Sequence, residues 1–217
     1  DPLLNPHEDI NVAFCAHYGT VDVRLSSISG NTPLEMVEEL ANTCIQKLKS
    51  HFLTHGIRGI TPVILDMLRA RNETIAVAES CTGGLLGAAL TAVPGSSDVF
   101  QGGILTYTNQ AKHELLGVAQ ADLDRYGAVS EQVARAMAEG VREKLHSTWA
   151  LSTTGIAGPG GGTPEKPVGM VFVGLAGLEG SFAKQLDLRG NRGIVRERTV
   201  SVAQDILRRR LLKLATN

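Results

Sequence analysis

A chain of 217 residues with 43% hydrophobic and 20% charged residues can bury a sizeable core, which excludes a disordered chain. Its formal net charge of -1 gives no electrostatic footprint for nucleic acid or an acidic membrane surface, and aromatics at 4% are too few for base-stacking platforms. Cys15, Cys44 and Cys81 are odd in number and far apart, which argues against a disulfide framework or a zinc site and for a reducing cytoplasm.

The chain opens on Asp1 rather than a methionine, without a signal peptide, and reads as a fragment of something longer. Residues 11–17 and 20–28 alternate around His17-Tyr18-Gly19, a hairpin signal. Thr32 is expected to cap a helix that Pro33 opens and that Leu34, Val37, Leu40, Cys44 and Leu48 carry. That strand–strand–helix unit is too small for a core of its own. Residues 51–59 lack periodicity and read as a linker, and Thr61-Pro62 begins the next helix. Strands and helices then alternate: a strand over 74–79, a helix over 83–93 and a strand over 99–108. Asn109 is expected to cap a helix reaching Leu116, and Ser130 a longer one through Lys144. A strand over 148–154 leads into the glycine-rich 155–167, a hairpin pairs 168–176 with 181–188, and a basic helix closes over 190–212. This order predicts an α/β fold, a layered sheet with flanking helices, preceded by a small α+β unit. No apolar stretch is long enough to span a bilayer.

Four stretches carry chemistry. AVAESCTGG, Ala76 to Gly84, sets Glu79, Ser80, Cys81 and Thr82 where a strand passes into a helix. Backbone N–H groups at such a mouth attract anions, and Gly83-Gly84 lets a ligand approach them. Thr82 as a plain cap and glycines as close-packing residues fit the same letters. The stretch is neither GxxxxGK[ST] nor GxGxxG, so the standard nucleotide folds are not supported.

In GSSDVFQGGILTYTNQAK, Ser96 and Ser97 follow Pro94-Gly95, Tyr107 closes a strand, and Lys112 falls in the first turn of a helix. There the helix dipole disfavours a cation and burial lowers the lysine pKa further, as a neutral base acting on a serine requires. Tyr107 could relay the proton or donate to an oxyanion. A turn serine, an interfacial tyrosine and a solvated lysine have the same spacing. TTGIAGPGGGTPEKPVG, Thr153 to Gly169, could expose backbone donors to a carbonyl or phosphate oxygen, or serve only as a turn-rich loop. In RGNRGIVRERT, Arg192 and Arg196 share a helix face and could clamp a phosphate, or belong to a solvated charge run offset by Glu197.

Taken together, AVAESCTGG, VPGSSDVFQGGILTYTNQAK, YGAVSEQVARAMAEG, TTGIAGPGGGTPEKPVGMVFV and RGNRGIVRE resemble the C-terminal domain of the CinA family (competence/damage-inducible protein A), also found alone as nicotinamide mononucleotide amidohydrolase. The resemblance runs from about Thr61 to Leu212. It implies two domains: a KH-like α+β segment over 1–55, and an amidohydrolase domain over 56–217. In longer members a molybdopterin-binding-like domain precedes these.

The implied reaction deamidates nicotinamide mononucleotide to nicotinate mononucleotide and ammonia, without metal or other cofactor. Carried over by motif, Ser97 is the implied nucleophile, with Tyr107 and Lys112 activating it; Ser96 and Ser80 stay open as alternatives. Ser80, Thr82, Gly83, Gly84, Thr154, Gly155, Gly158, Arg192 and Arg196 are the implied substrate contacts. The expected partner is the small-molecule substrate, with no nucleic acid and no membrane, in a cytoplasmic homodimer. Two other classes share these features: a non-catalytic pyridine-nucleotide-binding module, and a scaffold in competence or DNA damage.

Overall fold

The computed structural model describes residues 8–17, 19–56 and 59–214. The chain divides into two compact units, one up to Gly59 and one from Ile60 onwards.

In the first unit β1 (Ile10–His17) pairs antiparallel with β2 (Thr20–Ser27), from Ile10 opposite Ser27 to His17 opposite Thr20. Tyr18, at the predicted turn, lies outside the described residues. Helix α1 (Leu34–Leu48) follows, but Thr32 does not cap it: Pro33 holds the N-cap position without a side-chain bond. Asp9 takes the Thr32 hydroxyl instead, together with the hydroxyls of Ser27 and Ser29. Those donors, Thr32 foremost, hold the Asp9 carboxyl at about 2.

The second unit is a five-stranded sheet between two helical layers. Its strands are β3 (Ile75–Glu79), β4 (Phe100–Leu105), β5 (Trp149–Gly155), β6 (Met170–Gly177) and β7 (Gly180–Asp187), in spatial order β4-β3-β5-β6-β7. β3 runs parallel to both β4 and β5, whereas the β5–β6 and β6–β7 pairs are antiparallel. Side chains alternate along a strand, so β3 feeds two cores. Ile75 and Val77 pack with α2 (Ile60–Arg69), α3 (Leu85–Thr91) and α7 (Arg192–Leu211). Ala76 and Ala78 pack with α4 (Asn109–Leu116), α5 (Gln120–Tyr126) and α6 (Glu131–Lys144). Because both faces are covered, β3 is apolar from Ile75 to Ala78 rather than alternating, and its one polar residue is the last, Glu79.

Two helix starts show the cap chemistry at work. Ser130 accepts from the Val133 amide and opens α6, as expected. At α4 the cap is Thr108, accepting from Ala111 at 3.1 Å, and Asn109 is already the first helical residue. α6 lies close on the end of α4: a Cβ added at Gly140 would sit 2.0 Å from the Leu116 carbonyl oxygen. Only glycine permits that approach, which seats the helix carrying Lys112.

Candidate active site

The parallel strands end on a common edge, and the alternation along β3 continues past its last residue. Glu79 therefore turns to the α3 layer and Ser80 to the α4 layer.

The Glu79 side chain is buried, 1% exposed, and fully occupied. It accepts the Thr82 hydroxyl at 2.6 Å and the backbone N–H groups of Gly84, Leu86 and Gly87 at 3.0, 3.1 and 2.8 Å. Thr82 donates its one hydroxyl hydrogen to Glu79, so Thr153, 2.7 Å away, donates to Thr82. Arg196 donates to the Thr82 carbonyl at 2.7 Å. The helix mouth read as an anion cradle is thus filled by the chain's own carboxylate. Thr82, Gly83, Gly84 and Arg196 build the support behind Ser80 and do not line the cleft in front of it.

On the other face, the Lys112 ammonium nitrogen reaches the Ser80 hydroxyl at 3.1 Å and the Thr106 carbonyl at 2.8 Å. Lys112 is 1% exposed, and among the described residues no carboxylate pairs with it. Lysine is almost never buried so completely without a counter-charge. Burial drives its pKa below the ordinary lysine value, with Cys81 pulling weakly the other way. Its place in the first turn of α4 adds the helix dipole to the same side. Its N–H groups donate to the Thr106 carbonyl and to the Ser80 hydroxyl, and loss of one proton would leave a lone pair in reach of the Ser80 proton. The Cys81 thiol lines the same cleft but is pushed up to about 11 by burial, which leaves it a protonated, poor nucleophile beside Ser80.

The cleft holds about 230 Å³. Its lining includes the bonded pairs Ser80 with Lys112 and Tyr107 with Arg192, and Thr154 and Gly155 at the end of β5. Thr154 spends its hydroxyl on the Ala128 carbonyl at 2.8 Å, so it braces the wall. Arg192 donates to the Gly158 carbonyl at 2.9 Å and to the Tyr107 hydroxyl at 3.0 Å. A guanidinium has no acceptor, so the phenol must accept from it. The Tyr107 proton is left for another acceptor. Asn109, which sequence reasoning passed over as a cap, also lines the cleft.

Ser97 is elsewhere. It lies exposed in a short 3-10 turn, Ser96–Asp98, that precedes β4. The parallel register sets Phe100 beside Ile75 and Leu105 beside Glu79, so Ser97 sits at the start of the strands and Ser80 at their end. Five residues of strand separate the two levels, about 16 Å. The serine within reach of Lys112 is Ser80, not Ser97 or Ser96. Among the described residues no group of three or more His, Cys, Asp or Glu side chains is placed to hold a metal, and no helix is long and apolar enough to cross a membrane.

Comparison with known proteins matches residues 58–211 to the model of the CinA C-terminal domain. A CinA-like protein of Rippkaea orientalis is 51% identical over 216 residues, covering 97% of this chain and 51% of the relative. A putative competence-damage inducible protein of Thermoanaerobacter pseudethanolicus is 43% identical over 195 residues, covering 90% and 47%. The chain thus spans about half the length of the curated relatives it matches. Among solved structures, a competence/damage inducible protein from Agrobacterium tumefaciens superposes with a TM-score of 0.67 at 38% identity, covering 71% of this chain and 97% of that one. The competence damage-inducible protein A of Klebsiella pneumoniae gives 0.69 at 30%, covering 70% and 95%.

Proposed function

Because this chain belongs to the family of the CinA C-terminal domain, we propose that it hydrolyses the carboxamide of nicotinamide mononucleotide, with Ser80 as nucleophile and Lys112 as its base. The observation that carries this reading is the 3.1 Å approach of a buried lysine, unpaired by any described carboxylate, to a serine that lines the cleft. Such a lysine is deprotonated more readily than an exposed one and can accept the serine proton near neutral pH.

The chemistry follows from the positions. Ser80 Oγ adds to the carboxamide carbon while its proton passes to Lys112 Nζ, giving a tetrahedral oxyanion. The phenol of Tyr107, with its oxygen engaged by Arg192, supplies its proton as a hydrogen bond to that oxyanion. Lys112 then returns the proton to the departing nitrogen, and ammonia leaves. The nicotinate ester on Ser80 is cleaved by water, with Lys112 again taking and returning the proton. Products are nicotinate mononucleotide and free Ser80. Glu79 takes no part in proton transfer; it locks the turn that presents Ser80.

The test is ammonia release from nicotinamide mononucleotide by the purified chain. Stoichiometric ammonia and nicotinate mononucleotide over many turnovers support the amidase; binding without release would favour a nucleotide-sensing module.

A further inference from the structure

The N-terminus of α3, Arg196 and Arg192 are each chemically able to meet an anion. The first is closed, because Glu79 already takes the N–H groups of Gly84, Leu86 and Gly87. Arg196 faces the Thr82 carbonyl behind Ser80 and does not line the cleft. Arg192 does line it. Of a guanidinium's five N–H groups, the bonds to the Gly158 carbonyl and the Tyr107 hydroxyl use two. Three remain, enough for a fork-like grip on phosphate oxygens without releasing Tyr107.

We propose that Arg192 receives the phosphate of the mononucleotide and, through the same guanidinium, fixes the Tyr107 hydroxyl in its donating position. This rests on the reading of the site as a nicotinamide mononucleotide amidase and adds a division of labour to it. Tyr107 is 64% exposed and has no other side-chain partner among the described residues, so Arg192 is what holds its hydroxyl. A phosphate that anchors Arg192 therefore also steadies the oxyanion donor. Binding energy from a remote part of the substrate is used at the reacting carbon, and a truncated substrate loses turnover as well as affinity.

The experiment measures ammonia release from nicotinamide mononucleotide, from nicotinamide riboside, and from the riboside with added inorganic phosphite. For the wild-type chain the riboside should show a kcat at least about tenfold lower than the mononucleotide, and phosphite should raise riboside turnover saturably. Arg192→Gln should lose the phosphite response and bring the two kcat values to within about threefold, with melting temperature and circular dichroism confirming the fold. Arg192→Lys, which keeps charge without the fork, should retain only a fraction of the response. If Arg192→Gln does not fold, the wild-type phosphite response and Arg192→Lys decide the matter. Equal kcat for both substrates in the wild type, no phosphite effect, or an undiminished response in a folded variant overturns the proposal while leaving the amidase intact. A wild-type chain that releases no ammonia from the mononucleotide overturns the amidase reading itself.

Discussion

Lys112 Nζ meets Ser80 Oγ at 3.1 Å although 32 residues separate them in sequence. Two packing events close that gap. The parallel pairing of β3 with β4 brings the two strand ends level, and α4 begins four residues past β4, so that Lys112 in its first turn reaches Ser80.

Lys112→Met should remove turnover by about 10²–10⁴-fold, the usual contribution of a positioned base, while leaving the chain folded. The same variant tests the burial argument. A lysine whose folded pKa lies below its unfolded value near 10.4 leaves the unfolded state binding more protons between those two values. Wild-type stability should therefore rise with pH across that window, and the penalty for charging Lys112 should be fully present below it. Urea denaturation of both proteins between pH 6 and pH 10 reads this directly. The wild-type midpoint should gain on that of Lys112→Met as pH rises; parallel profiles would mean that Lys112 stays charged and solvated.

Tyr107→Phe should lower kcat by about 10–100-fold, at the modest end for an oxyanion donor because the tyrosine is exposed to water. KM should change little, since the hydroxyl acts on the developing oxyanion. Steady-state kinetics separates the two, and a pure KM effect would make Tyr107 a binding residue only.

Glu79→Gln keeps the shape but turns an NH₂ toward groups that all donate. With a buried acceptor lost and a buried donor stranded, the fold should lose about 1–3 kcal/mol. Equilibrium denaturation measures it, and a loss below the error would show that the turn holding Ser80 does not depend on the carboxylate.

Gly140→Ala places a methyl on the Leu116 carbonyl and should cost about 1–3 kcal/mol through overpacking. Because the displaced partner is the helix bearing Lys112, turnover should fall beyond what the unfolded fraction explains. Unchanged activity in the folded fraction would show that α4 absorbs the shift.

Much of this arrangement was legible in the letters. The alternation of apolar runs with capped helices gave the layered sheet, and the position of Lys112 three residues after Asn109 already marked it as a cation in a first turn. The separation of Ser97 from Lys112 is itself legible in the chain order. Ser97 precedes β4 and Lys112 follows it, so a full strand length had to separate them. Period-2 alternation through Ala76, Val77, Ala78 and Glu79 also puts Glu79 and Ser80 on opposite faces, which separates the buried anchor from the hydroxyl that meets Lys112. The Thr108 cap was missed because threonine and asparagine both cap well and stand side by side. The link from Arg192 to Tyr107 spans 85 residues and depends on how α7 meets the cleft, which no local pattern encodes.

In the proposed reaction Ser80, and not Ser97, attacks the carboxamide. Ammonia release from saturating nicotinamide mononucleotide by folded Ser80→Ala and Ser97→Ala, measured beside the wild type, tests it most directly. Ser80→Ala should fall at least about 10³-fold, since the Cys81 thiol beside it stays protonated, while Ser97→Ala should keep a rate within about twofold of wild type. Near-normal turnover by Ser80→Ala together with an inactive Ser97→Ala would contradict the account.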